Sequence, residues 1–291
     1  MPDGRRRNIL RGAAIVAIAC VGLCCAAAHG QDAEGMRYPL SVAALPDGGL
    51  VVADRQLPGL WRIAAGKATV LFQGEKQFRT PLNAARAVAV GRDGTVFAAD
   101  SSTRDVYRLA ADGKAVPLSG GRIGIPIDIA VAASGDLFVS DLETQSIWRL
   151  PAAGGEPITV AELAAPRGLF VDAADRLWVV AASGEAPLVR IGADGAVEPV
   201  VKTRAFEFPH DVVVRDGPDG PVAFVSDNYA RTIWKVTAGG AVSPWASGPP
   251  LVGPVGLAIA GDDVLVADPQ ARAIFRVGRD GRPDPAAAAV R

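Results

Sequence analysis

His210 and Asp211 are neighbours in the sequence and are the first residues that could do chemistry together. A histidine beside a carboxylate can act as a general base, or it can contribute one ligand to a metal ion. The chain has only two histidines, His29 and His210, so a three-histidine metal site is excluded. We take His210 and Asp211 as candidate catalytic residues, and a structural role for a lone histidine stays open.

Other features of the sequence exclude several catalytic motifs and classes of protein. We find no Gly-x-Ser-x-Gly elbow, no His-Glu-x-x-His helix and no glycine-rich phosphate loop followed by a helix. With 49% apolar residues and 30 basic against 31 acidic side chains, the sequence excludes a disordered chain. The same charge balance argues against a protein that binds nucleic acid through bulk electrostatics.

A repeated unit must position the candidate residues. Six segments share the pattern branched apolar, usually aromatic, basic, branched apolar, and they recur every 41 to 46 residues. Their basic residues are Arg62, Arg108, Arg149, Arg190, Lys235 and Arg276. Five copies also contain a preceding apolar run that ends in aspartate, namely Asp54, Asp100, Asp141, Asp227 and Asp268. The fourth copy has Ala181 at this place.

Each copy contains four short β-rich runs separated by glycine and Asp-Gly turns, which predicts a four-stranded antiparallel meander. One such sheet cannot bury both faces, whereas sheets packed radially around a channel can. The sequence therefore predicts an all-β, six-bladed β-propeller of four-stranded antiparallel blades over residues 31–291. Two closures of the ring stay open: an outer strand at Pro285–Val290, or a return of residues 31–38 to the sixth blade.

The meander also predicts which face binds. The turns between the first and second and between the third and fourth strands are tight and glycine-rich, while the loops of the opposite face are longer and more varied. Alignment of the copies places Arg86, Arg167 and His210 at one level of the innermost strands, with Asp128 and Asp211 at the next. We predict that Arg86, Asp128 and Arg167 bind ligand at this face, together with Tyr229 from a varied loop.

The recurring residues are interpreted differently. Five aspartates at one place of the repeat indicate a shared backbone hydrogen-bonding role in the turn that follows. The recurring basic residue beside an aromatic one is expected to form ion pairs at the blade edge, which contribute little when exposed.

The N-terminal segment resembles an export signal. Arg5, Arg6, Arg7 and Arg11 precede an apolar run from Gly12 to Ala28, and small residues follow for cleavage. Residues 6–11 resemble a twin-arginine pattern, and the general route, an uncleaved anchor and a lipid-modified Cys20 are alternatives. Cleavage near residue 30 would also remove Cys20, Cys24 and Cys25, the chain's three cysteines. We predict a signal peptide at residues 1–30 and a periplasmic or secreted protein.

The repeat resembles the NHL repeat in its Pro-initiated run, its Asp-Gly turn, its run ending in aspartate and its Ile-Trp-Arg segment, such as Ile147-Trp148-Arg149. The whole is similar to six-bladed propellers of the SMP-30/gluconolactonase, strictosidine-synthase-like and virginiamycin B lyase-like proteins. In the lactonases, Pro-Asn-Gly and Pro-Asp-Gly segments and an early glutamate hold a divalent metal. Here His210 follows Pro209, Val255 follows Pro254, and Tyr38-Pro39 offers no glutamate, so that metal set is not visible.

Two functions remain open at this stage. The first is an exported propeller that binds a small molecule or a protein partner over the central channel. The second, implied by the resemblance, is a hydrolase or lyase acting on a small polar or anionic substrate, with His210 as base or metal ligand. We expect a monomer that binds no nucleic acid and contacts the membrane only during export, with no certain cofactor and a divalent metal such as calcium as an alternative.

Overall fold

The computed structural model describes residues 35–75, 77, 79–182 and 185–286. Within these ranges the chain forms six four-stranded antiparallel sheets and no helix, which confirms the predicted six-bladed propeller. The described residues accordingly contain no helix long and apolar enough to cross a membrane. The predicted signal peptide, residues 1–30, lies outside the described ranges.

The sheets follow one another along the chain, each built from four consecutive strands. Blade 1 contains β1 (Pro39–Ala44), β2 (Leu50–Asp54), β3 (Gly59–Ala64) and β4 (Lys67–Gln73). Blade 2 contains β5 (Ala85–Val90), β6 (Val96–Asp100), β7 (Asp105–Leu109) and β8 (Ala115–Pro117). Blade 3 contains β9 (Pro126–Val131), β10 (Leu137–Asp141), β11 (Ser146–Leu150) and β12 (Ile158–Glu162).

The second half of the ring repeats this order. Blade 4 contains β13 (Pro166–Val171), β14 (Leu177–Ala181), β15 (Leu188–Ile191) and β16 (Val197–Val201). Blade 5 contains β17 (Pro209–Gly217), β18 (Gly220–Asp227), β19 (Thr232–Val236) and β20 (Val242–Ser247). Blade 6 contains β21 (Gly256–Ala260), β22 (Asp263–Asp268), β23 (Ala273–Val277) and β24 (Pro283–Pro285).

The first strand of each blade lines a central channel, and the core lies between the blades. In β2, β6 and β14 every residue is buried, as expected for strands covered on both faces. Each pair of adjacent blades shares a hydrophobic cluster within the described ranges. The channel between the inner strands encloses about 230 Å³.

Within the described ranges, each of the two blades at the ends of the chain is built from its own four consecutive strands. The C-terminal segment supplies the outer strand of blade 6, which was one of the two closures expected from the sequence. This strand is Pro283–Pro285, whereas Pro285–Val290 was expected, and residues 287–290 lie outside the described ranges. Met36 and Ala286 pack with residues of blades 1 and 6 in their shared cluster. Closure therefore rests on side-chain packing between blades 1 and 6.

The recurring aspartates have the structural role predicted for them. Asp227 accepts hydrogen bonds from the backbone N–H groups of Glu207 and Phe208, at 2.7 and 2.9 Å, and from Trp234 Nε1 at 3.2 Å. The equivalent aspartates of blades 1, 2, 3 and 6 accept similar bonds from the loop before the inner strand. Each carboxylate thus fixes the loops of the candidate face to the end of its second strand.

The recurring basic residues also behave as predicted. Four of them form exposed ion pairs with a carboxylate of their own blade: Arg62 with Asp47, Arg149 with Asp136, Arg190 with Glu198 and Arg276 with Asp263. Exposed pairs of this kind contribute about 0 to 1 kcal/mol each, so they are a minor part of the stability.

Neighbouring blades are also joined in pairs by hydrogen bonds beside the channel. Asp128 of blade 3 accepts the N–H of Leu169 in blade 4 at 2.7 Å, and Asp211 of blade 5 accepts that of Leu257 in blade 6 at 2.6 Å. Ser41 of blade 1 accepts the N–H of Val88 in blade 2 at 3.2 Å. Ser41, Asp128 and Asp211 therefore each link their own blade to the next one beside the channel.

Candidate functional site

A local irregularity of the inner strands positions the candidate residues. Near the start of β5, β13 and β17 the pairing with the second strand of the same blade is interrupted. The second residue of each of these inner strands has no partner in the ladder. These unpaired residues are Arg86, Arg167 and His210. Bulges of this kind turn a side chain out of the regular alternation of a strand.

The turned side chains meet at the mouth of the channel, on the face with the longer loops. A cavity of about 160 Å³ is lined by five of the six residues predicted from the sequence: Arg86, Asp128, Arg167, His210 and Asp211. Tyr229, the sixth, does not line this cavity, but its ring stacks on Phe208 with 4.7 Å between the ring centres. The structure therefore brings the predicted residues to one place, and their roles stay predictions.

The two arginines have no carboxylate partner. Among the described residues, neither Arg86 nor Arg167 takes part in an ion pair. Arg86 Nε donates to Ser101 Oγ at 3.2 Å, while the buried Nε of Arg167 has no hydrogen-bond acceptor. Burial lowers the pKa of both guanidinium groups, and the charge of Arg86 lowers that of Arg167 further. The charge of Arg55 also lowers the pKa of Arg86. A nearby anion would stabilise guanidinium groups in such surroundings.

Phe208 holds Arg167 in place. The guanidinium carbon of Arg167 lies 4.3 Å from the centre of the Phe208 ring, which is the geometry of a cation–π contact. His210 meets the same ring edge-on, with 5.1 Å between the ring centres. Phe208 was not among the residues selected from the sequence. Its place in a varied loop directly before Pro209 is the one signal that points to it.

His210 is surrounded by these cations. Burial and the charges of Arg167 and Arg86 lower its pKa to about 4, although the Asp227 carboxylate opposes them. The imidazole is therefore neutral at neutral pH, so it can accept a proton and adds no charge to the mouth.

Asp128 and Asp211 form the floor of the mouth, at the point where it continues into the channel. Both line the two cavities, and their carboxyl groups hydrogen-bond to each other. Burial raises the pKa of Asp128 to about 7, and burial together with the Asp128 charge raises the pKa of Asp211 well above its ordinary value. Two enclosed carboxyl groups in contact cannot both ionise readily, so the pair shares a proton.

The residues present do not fit a divalent cation. Within the described ranges no group of three or more His, Cys, Asp and Glu side chains could hold a metal ion. The carboxylate oxygens of the floor are used by backbone N–H groups, since Asp211 accepts from Val212 and Leu257 and Asp128 accepts from Leu169. The guanidinium groups above them would repel a cation, and we derive no step through a metal.

Comparison with solved structures identifies the fold. Virginiamycin B lyase from Staphylococcus aureus is 17% identical and aligns over 86% of this chain and 84% of its own, with a TM-score of 0.64. A gluconolactonase from Xanthomonas campestris is 18% identical over 82% of this chain and 86% of its own, with a TM-score of 0.66. This chain has their fold. A structure of a nidogen/laminin complex also matches, with 14% identity, 81% and 93% coverage and a TM-score of 0.66.

These likenesses define the architecture and leave the activity open, because folds host many functions. No family model matches the sequence, and no curated protein matches it either. The solved structures do bear out the resemblance to virginiamycin B lyase and gluconolactonase propellers as a resemblance of fold.

Proposed function

We propose that this protein binds a small anionic molecule at the mouth of its channel, with Arg86 and Arg167 as the anion-binding groups. The observation that carries the proposal is the pair of half-buried guanidinium groups without a carboxylate partner in the described chain. Arginine donors that face a cavity without a counter-ion favour a carboxylate or phosphate there. The carboxyl pair beneath them shares a proton and so carries one negative charge fewer than two free carboxylates.

Binding of simple probes tests this proposal. Butanoate should bind to the purified protein, and 1-butanol, of similar size and no charge, should not, when each is titrated by NMR. Because a hydrogen bond to a charged group contributes about 1.5 to 3 kcal/mol, Arg86→Ala and Arg167→Ala should each weaken butanoate binding about ten-fold or more.

Arg204→Ala is the matched control, because it removes the same charge from an exposed residue in the loop before β17. It should leave butanoate affinity unchanged. Equal weakening in all three variants would reduce the effect to general electrostatics and overturn the proposal, as would the absence of butanoate binding.

A lyase or hydrolase is the second candidate. It is favoured by His210, a neutral base in the same cavity, and by the fold shared with lyases and a gluconolactonase. One of the matching structures is a virginiamycin B lyase variant with a histidine replaced by alanine, described as catalytically inactive and solved with quinupristin. Turnover of glucono-lactone or quinupristin that is lost in His210→Gln, while butanoate still binds, would support it.

We also propose that the protein is exported and acts in the periplasm or outside the cell. The support is the basic head, the apolar run and the small residues of positions 5–30. N-terminal sequencing of the chain recovered from a producing cell tests this, since the mature protein should begin near residue 31. An N-terminus at Met1 would contradict it.

A further inference from the structure

A column of stacked groups leads from the mouth to the protein surface. Tyr229 and Phe208 are nearly parallel, with an angle of 19° and 4.7 Å between their centres. Arg167 lies 4.3 Å from the same Phe208 ring. Phe208 is therefore in contact with both Tyr229 and Arg167 and connects them. The column therefore begins with a cation in the mouth and ends with an aromatic ring outside it.

The outer end of this column is exposed apolar surface. Tyr229 is 66% exposed, although a large aromatic ring is normally covered. Val252 in the loop before β21 is also exposed. The two loops are in contact, because a Cβ atom on Gly253 would lie 2.8 Å from Asn228 Nδ2. Tyr229 and Val252 thus belong to adjoining segments at the rim of the mouth.

This rim differs from the other exposed apolar residues. Among the described residues, the remaining exposed large hydrophobic side chains are on the outer strands of three blades: Val70, Ile158 and Val197. Tyr229 instead contacts Phe208, which packs on Arg167 of the cationic cavity. Val252 lies in the loop that leads to Val255, a residue of the cavity lining. Exposed apolar surface next to a polar pocket is typical of a ligand-binding site.

We propose that the bound anion is an aryl-substituted carboxylate, whose carboxylate pairs with Arg86 and Arg167 and whose ring packs on Tyr229 and Val252. This inference rests on the proposed function, because it names the class of ligand for the same mouth. An elongated molecule is favoured, since the ligand must contact both Arg167 and Tyr229, whose guanidinium carbon and ring centre lie 4.3 and 4.7 Å from the Phe208 ring centre. The ring of the ligand extends an existing aromatic stack at little entropic cost, because Phe208 already orders Tyr229.

The test compares 4-phenylbutanoate with butanoate, which differ by one phenyl ring. Dissociation constants are measured by NMR titration or calorimetry for the protein and for Tyr229→Ala. Contact of the added ring with Tyr229 and Val252 should tighten binding about ten-fold in the unaltered protein. Tyr229→Ala should remove most of this advantage, measured within each protein as the ratio of the two dissociation constants, and Tyr229→Phe should retain it.

Ile158→Ala is the matched control, because Ile158 is 63% exposed but lies on the outer strand of blade 3. It should change neither affinity. Butanoate binding without any gain for 4-phenylbutanoate, or a gain that persists in Tyr229→Ala, overturns the aryl-carboxylate inference and leaves the anion site intact. Failure of both molecules to bind overturns the proposed function itself.

Discussion

His210 illustrates how strongly a single position depends on its neighbours. Its own sequence context, next to Asp211, suggests a histidine activated by a carboxylate. In the structure Asp211 instead uses its carboxylate for backbone N–H groups and for Asp128, while Arg167 and Arg86 act on the imidazole. The result is a neutral histidine with a pKa of about 4. A bound anion would offset the two positive charges and make His210 more basic, as an enzyme of this geometry would require.

The first prediction is that Arg167→Gln raises the pKa of His210 from about 4 toward its ordinary value of 6.5, because a positive charge that disfavours imidazolium is removed. NMR titration measures it directly, since His210 is the only histidine of residues 31–291. Arg204→Gln, with the same change at an exposed position, should leave the midpoint where it was. A midpoint near 6.5 in the unaltered protein would contradict the enclosed environment described for His210.

The inner strand is the element that combines support and function. In blades 1, 3 and 5 the inner strand carries a residue whose side-chain oxygen bonds to the next blade. The aligned position of that next blade is a small residue: Ala87, Gly168 or Gly256. The small residue is required by space. A Cβ atom on Gly168 would lie 2.3 Å from the Cα atom of Asp211 and 2.8 Å from the backbone oxygen of His210. Blades 4 and 5 therefore approach each other closely directly beneath the mouth.

The second prediction follows from this contact. Gly168→Ala should lower the free energy of unfolding by about 1 to 3 kcal/mol, because backbone and not a flexible side chain blocks the added methyl group. Urea denaturation measures the change. Gly239→Ala is the control, since a Cβ atom there meets nothing closer than 4.0 Å, and it should be neutral or slightly stabilising. Equal midpoints for the two variants would mean that blades 4 and 5 can separate without cost.

The elements explain which parts of the site could be predicted from the sequence. A repeat of nearly constant length places Arg86, Arg167 and His210 at the same height of the inner strands of blades 2, 4 and 5, so alignment alone indicates that they meet. The recurring aspartates could be recognised for the same reason, since a hydrogen bond to the loop of the same blade is local and repeats with it.

Contacts that the repeat does not fix could not be predicted. Asp128 and Asp211 belong to blades 3 and 5, which are separated by blade 4, and their contact depends on the width of the channel. The stack of Phe208, Tyr229 and Arg167 depends on the conformations of two loops whose sequences do not recur in the other blades. The metal ligands of the lactonases could be compared from the sequence alone, because His210 and Val255 stand where those enzymes have asparagine and aspartate.

At the scale of the whole molecule, the carboxyl groups of Asp128 and Asp211 connect several blades through their hydrogen bonds. Asp128 is bonded to blade 4 and Asp211 to blade 6, so the carboxyl pair joins blades 3, 4, 5 and 6 around the channel. Ionisation of Asp128 places a negative charge against the Asp211 carboxyl group in an enclosed place. The stability of the ring should consequently depend on pH through this pair.

The pKa values determine whether the folding stability rises or falls with pH. An unfolded aspartate titrates near 3.9, whereas burial raises the pKa of folded Asp128 to about 7. Between these values the folded protein holds the extra proton on Asp128, so the contribution of Asp128 is fully present below about pH 4 and is lost as the pH rises through about 7. His210 acts in the opposite direction between about 4 and 6.5, because its pKa is lowered in the folded state. A comparison of variants is therefore needed to isolate the carboxyl pair.

The third prediction is that Asp128→Asn gains stability relative to the unaltered protein as the pH rises from 5 to 8. The asparagine oxygen still accepts the Leu169 N–H and its amide can donate to Asp211, so the charge that Asp128 acquires near pH 7 cannot form. From the shift of Asp128 we expect the difference in unfolding free energy between the two proteins to change by about 2 to 4 kcal/mol over this range. Urea denaturation at both pH values measures it. Asp284→Asn, on the exposed part of β24, should show a constant difference, since that carboxylate faces solvent. If Asp128→Asn also gave a constant difference, the two carboxyl groups would not share a proton, and the link that they provide among four blades would be independent of charge.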